Sequence, residues 1–490
     1  MTSNQLKSLV AVLAIPILSA CGGSDDPAPP AATQTAVGTI TAFGSVVVNG
    51  IRFDDSAASI TMDDALTTRD RLRVGMVVQV RGQINANGTG VASSIQYNDC
   101  VQGPITAMNQ VQNTVTVLGQ TVRVDDGTVF NGVTLRDMNS FAVGDQVEIS
   151  CLRDPANNQL RATRMERQGA FQNGTSELEV KGTVANLNLA AGTCTIDGLT
   201  VNFAGVAAAN RPAGLANGMT VEAGGRNFAN GILTADRLRD RDRDRISYPD
   251  GDGLEVEGYV SDFVSIANFK IAGQAVNAAN AVIRNGTAAD VANGVKVEAE
   301  GTMSNGVLVA GVLVLKLQTN VRVEAGMQAK DTAAGTITLL GRAIKVNADT
   351  EWRDRLANAN QPTVVTLAAL NPADRLEVKA YKDASGNLIA TRIERTEADA
   401  LVVVKGPTDA KVPTTQLTLA GIGVATGANT RYRDVSGTLV DATTFYGAVL
   451  VPPAVPTMVH ARGVVANLAT NVVDATRSVS TTGELEIGED

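Results

Sequence analysis

Taken as a pattern of apolar and polar positions, the chain repeats one three-part phrase six times. A short alternating stretch first runs into a small residue, as in Val37-Gly38, Val101-Gln102-Gly103, Val180-Lys181-Gly182, Val256-Glu257-Gly258, Val323-Glu324-Ala325 and Val404-Lys405-Gly406. An apolar run broken by a glycine follows, at Gly50, Gly119, Gly198, Gly273, Gly341 and Gly421. The third part alternates strictly, as from Gly75 to Gly82 and from Gly294 to Gly301, and closes on a run carrying Ala92, Ala162, Ala235, Ala310, Ala390 or Ala475. Alternation of period two predicts half-buried strands, and the glycine within the apolar run allows the positive φ of a tight hairpin. Each unit is therefore expected to hold three strands in a meander, an irregular or briefly helical segment, and a final hairpin. In the second unit these are Val101–Met108, Thr114–Leu118, Thr121–Val124, the segment Thr134–Phe141, then Gln146–Leu152 and Leu160–Arg167. Three strands, an interruption and two more is the order of a small OB-like barrel. A plain five-stranded sandwich is the alternative.

The predicted fold class is all-β: six tandem five-stranded OB-like β-barrels at residues 36–98, 99–168, 177–240, 253–318, 320–396 and 400–482. Modules of this size bury only about 60% of their unfolded surface, so contacts with neighbours are expected to help each one. Short linkers suggest an elongated array. The longer charged linker Asp236–Arg245 alternates Asp and Arg and is expected to be a solvated, stiff strap or strand extension.

The first residues change the picture by adding an address. Lys7 precedes the apolar run Leu9–Leu18, and Leu18-Ser19-Ala20-Cys21 places small residues before a cysteine, the pattern of a bacterial lipoprotein signal. Residues 1–20 are expected to be the signal peptide, Cys21 the lipid attachment point and 21–35 a flexible tether. By resemblance to Gram-negative lipoproteins, Gly22 rather than Asp after the cysteine implies sorting to the outer membrane. Cysteine use suits an oxidising compartment. Cys151 ends the fourth strand of its unit where sister units carry Gly82, Gly225, Ala380 and Gly463, and Cys100 opens the first strand beside it, so a Cys100–Cys151 disulfide is expected. Cys194 shares the inward phase of Val46 and Val115 and is expected to be a buried thiol. A net charge of −9 with few aromatic residues argues against nucleic acid as a partner.

Candidate chemistry is sparse. His460, the single histidine, falls in the outward column of Gln79, Glu148, Glu222, Glu298 and Glu377 and is expected to be solvated, with no partner to make it a base or ligand. Glu148, Glu222, Glu298 and Glu377 form an acidic surface column, expected to solubilise the sheet or to meet a cation or basic partner. Arg161, Arg164, Arg167, Arg237, Arg239, Arg392 and Arg395 are expected to pair with these glutamates across strands, with recognition of an anionic envelope polysaccharide as the alternative. Trp352, the only tryptophan, shares the phase of Phe130 and Tyr432 and is expected to plug a barrel core rather than stack on a sugar. Asp250-Gly251-Asp252-Gly253 lacks the full spacing of a calcium loop and is expected to be a turn. No catalytic residue, metal or cofactor is expected.

With these phrases laid out, the stretches Val143–Ile149 and Leu160–Glu166 resemble a bacterial domain of unknown function found in tandem in secreted lipoproteins. The resemblance runs from Val37 to about Val479 and is weakest in the sixth unit, which has Pro456 where others have glycine and an insert at Val451–Val455. It implies lipoprotein localisation and a small β-barrel, and no activity. Together these readings suggest a lipid-anchored outer-membrane protein, a non-catalytic multivalent scaffold or binding array for an envelope glycan or protein. A polysaccharide-acting enzyme with a site between repeats, or a ligand-free spacer, are the alternatives.

Overall fold

The alternation places β-branched and aliphatic side chains on one face of each strand, and closing that face on itself is the way a short strand set buries it. In the computed structural model, which describes residues 33–85, 87–133, 138–155, 159–241, 248–383, 385–467, 472–475 and 484–487, the chain does this repeatedly. The predicted signal peptide, Cys21, most of the tether and residues 242–247 of the strap lie outside the described residues. In the first barrel, Gln34–Ala42 pairs antiparallel with Val46–Val48, which pairs with Ile51–Asp54. Ile51–Asp54 then lies parallel to Thr89–Tyr97, which pairs with Val77–Ile84, and that strand returns to Gln34–Ala42. The ring order is thus 1-2-3-5-4, and closure rules out the sandwich. The same ring closes from Val101–Asn109, from Leu178–Asn188, from Gly253–Ser265, from Val321–Asp331 and from Val402–Val412.

Two columns of glycine have a steric cause. The hairpin between strands two and three has positive φ at both central residues, for example Leu118 (45°) with Gly119 (73°) and Asp197 (43°) with Gly198 (95°). That turn folds the first side chain back over strand one. A Cβ on Gly103 would meet Leu118 Cγ at 2.6 Å, and one on Gly182 would meet Asp197 Oδ2 at 2.3 Å. The Val-x-Gly opening is therefore the floor beneath the hairpin. A second column marks a bulge in strand four, where a Cβ on Gly82 or Gly301 would strike the carbonyl oxygen of strand five at 2.1 or 2.0 Å.

The segment after strand three adds more than an irregular link. Ser59–Met62, Val129–Asn131, Val282–Arg284 and Glu351–Asp354 each lie parallel to the far half of strand five, followed in turn by a short 3₁₀ turn. Phe130 and Trp352 lie on these strands, half-buried against the cores, and Tyr432 at the matching place is buried. The sixth barrel carries, ahead of its insert, the helix Ala442–Ala448, capped by Asp441 and packed through Phe445 and Tyr446 onto Tyr432.

The elongated arrangement expected from short linkers is not what forms. The first half of each strand one has a free edge, because strand two pairs only with its far half, and a neighbouring barrel fills that edge. Gln34–Val37 runs parallel to Gly253–Val256, Val101–Gln102 pairs with Glu179–Val180, and Arg322–Glu324 pairs with Val403–Lys405. The second and third barrels share one hydrophobic core, as do the fifth and sixth. Further contacts tie these pairs together, including Phe43 N donating to Pro362 O at 2.7 Å and Gln361 Nε2 donating to Leu72 O at 3.0 Å. Ala32–Asp490 is one compact unit.

Candidate functional site

Once the barrels pack together, an outward residue need not meet water. Register places strands one, four and five side by side, so each barrel presents an outward band of three residues. These are Gln102, Glu148 and Glu166 in the second barrel, Lys181, Glu222 and Arg239 in the third, and Glu324, Glu377 and Glu394 in the fifth. The fourth barrel contributes Glu257, Glu298 and Val314, and the sixth Lys405, His460 and Glu486. The expected acidic surface column is therefore corrected: Glu222 is 0%, Glu298 7% and Glu377 6% exposed, and Glu148 is half-buried, accepting from Tyr97 Oη at 3.1 Å. His460 is likewise not solvated. Its Nε2 is buried without a hydrogen-bond partner, and burial, with Arg462, Arg322 and Lys405 nearby, holds the imidazole well below its ordinary pKa.

Three charged clusters result. In the first, Lys181 Nζ lies 3.2 Å from Glu179 Oε1, 3.4 Å from Asp99 Oδ1, 3.7 Å from Glu222 Oε2 and 3.8 Å from Asp63 Oδ1, joining three barrels. Asp63, Asp99 and Glu179 have the spacing of metal ligands, and the Lys181 ammonium stands among them. Arg237 reaches Glu179 at 2.8 Å, and Arg241 reaches Glu222 at 2.7 Å and Asp64 at 2.8 Å. Burial pushes Glu179 up, but Lys181, a hydrogen bond with Asp99 and Arg237 outweigh it and bring the carboxyl to about 2. The strap begins, as expected, as an extension of the strand Ile232–Asp240, and at Arg241 it is a buried clasp rather than solvated.

The second cluster lies in the fourth barrel, where Glu257 accepts from Thr39 N at 3.2 Å and pairs with Lys296, while Lys316 pairs with Glu298 at 2.7 Å. Burial raises Glu257, yet Lys296 and Lys316 outweigh it and bring it to about 2. Glu255 goes the other way: burial and then Glu298 push it up, to about 10.

The third cluster is cationic. Lys405, Arg322, Lys379 and Arg392 stand in register across four neighbouring strands, and Asp126 of the second barrel enters this row, 2.8 Å from Lys405. The second and third clusters flank a cavity of about 930 Å³ walled by the first, second, fourth and fifth barrels. Its walls include Glu257, Glu298, Lys316, Trp352, Lys379 and Arg392.

The remaining expectations fall into place around these clusters. Cys100 and Cys151 are bridged with Cα atoms 5.8 Å apart, and Cys194 is a buried free thiol raised by burial to about 11. Of the arginines, Arg239 and Arg237 meet the strand-four Glu222, at 3.4 and 3.8 Å. Arg161 and Arg167 instead meet Asp154 at 2.9 Å and Asp145 at 2.8 Å, Arg164 meets Glu166 at 2.6 Å, and Arg395 meets Asp354. Asp250 and Gly251 form a turn in which Gly251 has φ 90° and Asp250 accepts from Gly306 N at 3.3 Å. Lys181, Asp126 and Lys379 escaped the sequence reading. The signal available for the first was the middle residue of Val-x-Gly, which is charged in Lys181, Glu257 and Lys405 although it precedes a core-facing glycine.

A family model described as a domain of unknown function, DUF5666, matches residues 37–96, 102–166, 250–312 and 322–394. The third and sixth barrels close by the same strand order outside those matches. A search of curated proteins returns no match. Because the four matches together span more than half of its length, the chain belongs to the DUF5666 family of domains of unknown function.

Proposed function

We propose that this chain is a lipid-anchored outer-membrane protein that holds a ligand in the cavity between its barrels without transforming it. The carrying observation is the convergence of polar barrel faces on one cavity of about 930 Å³, within the size range of small-molecule sites. Packing of the barrels turns faces that would be equivalent and exposed into the walls of a shared cavity, so affinity comes from the enclosure rather than from multivalency. The Lys7 to Cys21 leader supports the anchor, and the Cys100–Cys151 bridge suits the oxidising side of a membrane.

Two measurements test this. Cys21→Ser should release the protein from the membrane fraction or leave it unprocessed; lipid incorporation into that variant contradicts the anchor. The chain without its leader, screened against envelope glycans and peptidoglycan, should bind saturably and return its ligand intact. One observation favours the enzymatic alternative: Glu255, pushed up by burial, stands beside Glu298, which lines the cavity, and two carboxyls that share a buried site can divide the roles of acid and base. Product formation lost in Glu298→Gln would establish that alternative and end the binding reading.

A further inference from the structure

The fifth barrel supplies the cavity wall with three cations, Arg353, Lys379 and Arg392, against two carboxylates, Glu351 and Asp349, of which Asp349 is already paired with Arg284 at 3.0 Å. Lys405, Arg322, Lys379 and Arg392 face one another across adjacent strands, an arrangement that is unfavourable unless anions intervene. Two of the four are matched by carboxylates: Lys405 by Asp126 at 2.8 Å, and Arg322 by Glu324 on its own strand. Lys379 and Arg392 fare differently. Lys379 donates to the main-chain carbonyl of Asp126 and stands 3.7 Å from Glu377 Oε1, an oxygen that Arg322 also approaches at 3.6 Å. Among the described residues Arg392 hydrogen-bonds only to the carbonyls of Gly127 and Asp126, at 3.4 and 3.5 Å, and the carboxylate near enough to feel its charge is Glu394 on its own strand. Beside them Arg353 pairs with Glu351 at 3.1 Å and with Glu394 at 3.7 Å, but its Nε is buried with no partner.

All three cations line the cavity, and all are more than nine-tenths buried: Arg353 is 2%, Lys379 6% and Arg392 9% exposed. The imbalance shows in their proton affinity. Burial, then Arg392 and Arg322, bring Lys379 down to about 7, and burial with Arg392 brings Arg353 to about 10. A buried guanidinium and ammonium with spare donors form an oxyanion site, since each charge-assisted bond to a carboxylate is about twice as strong as a neutral one. The rest of the wall carries what hydroxyl groups require: Asn285, Asn347 and Glu298 as acceptors, with Trp352 and Tyr381 as ring faces.

We propose that Lys379, Arg392 and Arg353 bind the carboxylate of an acidic oligosaccharide lying in the central cavity. This rests on the binding function above and names its ligand class. The carboxylate would complete the row that Asp126 completes at its other end.

The test is calorimetry on the detergent-solubilised full chain with trigalacturonate, maltotriose and sodium sulfate. Trigalacturonate should bind saturably and at least about tenfold more tightly than maltotriose or sulfate. At pH 8 binding should take up a proton, because an anion raises Lys379 from about 7, and buffers of different ionisation enthalpy read that uptake directly. Lys379→Met should abolish the uptake and weaken trigalacturonate about tenfold or more. It should fold normally, since it removes a like charge from the row, and an unchanged melting temperature checks this. Equal binding of trigalacturonate and maltotriose, unaffected by Lys379→Met, overturns the anion assignment while keeping the binding function. Sulfate binding as tightly as trigalacturonate overturns the saccharide, and no binding of trigalacturonate at millimolar concentration overturns the proposal. Cleaved trigalacturonate overturns the non-catalytic function instead.

Discussion

Replacing Lys181 by methionine removes one charge and keeps the stem, and the structure sets the cost. The ammonium lies within 3.8 Å of Glu179, Asp99, Glu222 and Asp63, of which Glu222 is 0% exposed. Without it those carboxylates repel one another in a largely buried site, with Arg237 and Arg241 left to offset them. Breaking a buried ion pair by deleting one partner costs about 3–5 kcal/mol, whereas an exposed pair is worth roughly 0–1 kcal/mol. Because the second and third barrels share a core, they should lose stability together. Native-state amide exchange followed by mass spectrometry reads this locally: amides in Leu178–Asn188 and Thr220–Ala229 should exchange faster by about two to nearly four orders of magnitude. Lys181→Met combined with Glu222→Gln should lose less than Lys181→Met alone, since one repelling charge is gone. A change of less than about tenfold in Lys181→Met would refute the reasoning, because it would mean that this band is solvated.

Other expectations follow from the same geometry. Gly103→Ala should destabilise by about 1–3 kcal/mol through its 2.6 Å approach to Leu118 Cγ, whereas Gly326→Ala, whose Cβ meets nothing closer than 3.9 Å, should be close to neutral; urea unfolding compares them. Glu179 and Glu257, both held at about 2, contribute stability that is fully present above about pH 4.5 and is lost as pH falls toward 2; acid titration of the Glu179→Gln, Glu257→Gln double variant should show a shallower loss. Reducing Cys100–Cys151, which spans 51 residues, should cost about 4 kcal/mol on loop entropy, and Cys194 should resist alkylation until the chain unfolds.

The interior of each barrel was legible in the sequence because period-two alternation reports it directly. Val78, Val80, Val147 and Ile149 point inward as their phase requires, and Gly119 and Gly198 take the positive φ their hairpins need. The disulfide was legible for the same reason, since phase and repeat alignment placed both cysteines on neighbouring strands. The clusters were not. Alternation separates the inside of a barrel from its outside, but a polar outward residue looks the same whether it meets water or another barrel. Glu222 was read as solvated although Lys181 faces it within its own barrel, because Asp63 and Asp64 of the first barrel reach this cluster only when the barrels pack. The row of Lys405, Arg322, Lys379 and Arg392 was hidden in the same way, one residue per strand.

The central claim, that the outward polar bands are buried against one another in one compact unit, is tested most directly by small-angle X-ray scattering of the chain from Gly22 onward. A compact chain of this length has a radius of gyration of about 23 Å, whereas barrels of about 11 Å each strung end to end would reach roughly 40 Å. The account predicts a value near the first, unchanged between low and high salt. A value near the second would contradict it, returning Glu222, Glu298 and Glu377 to solvent.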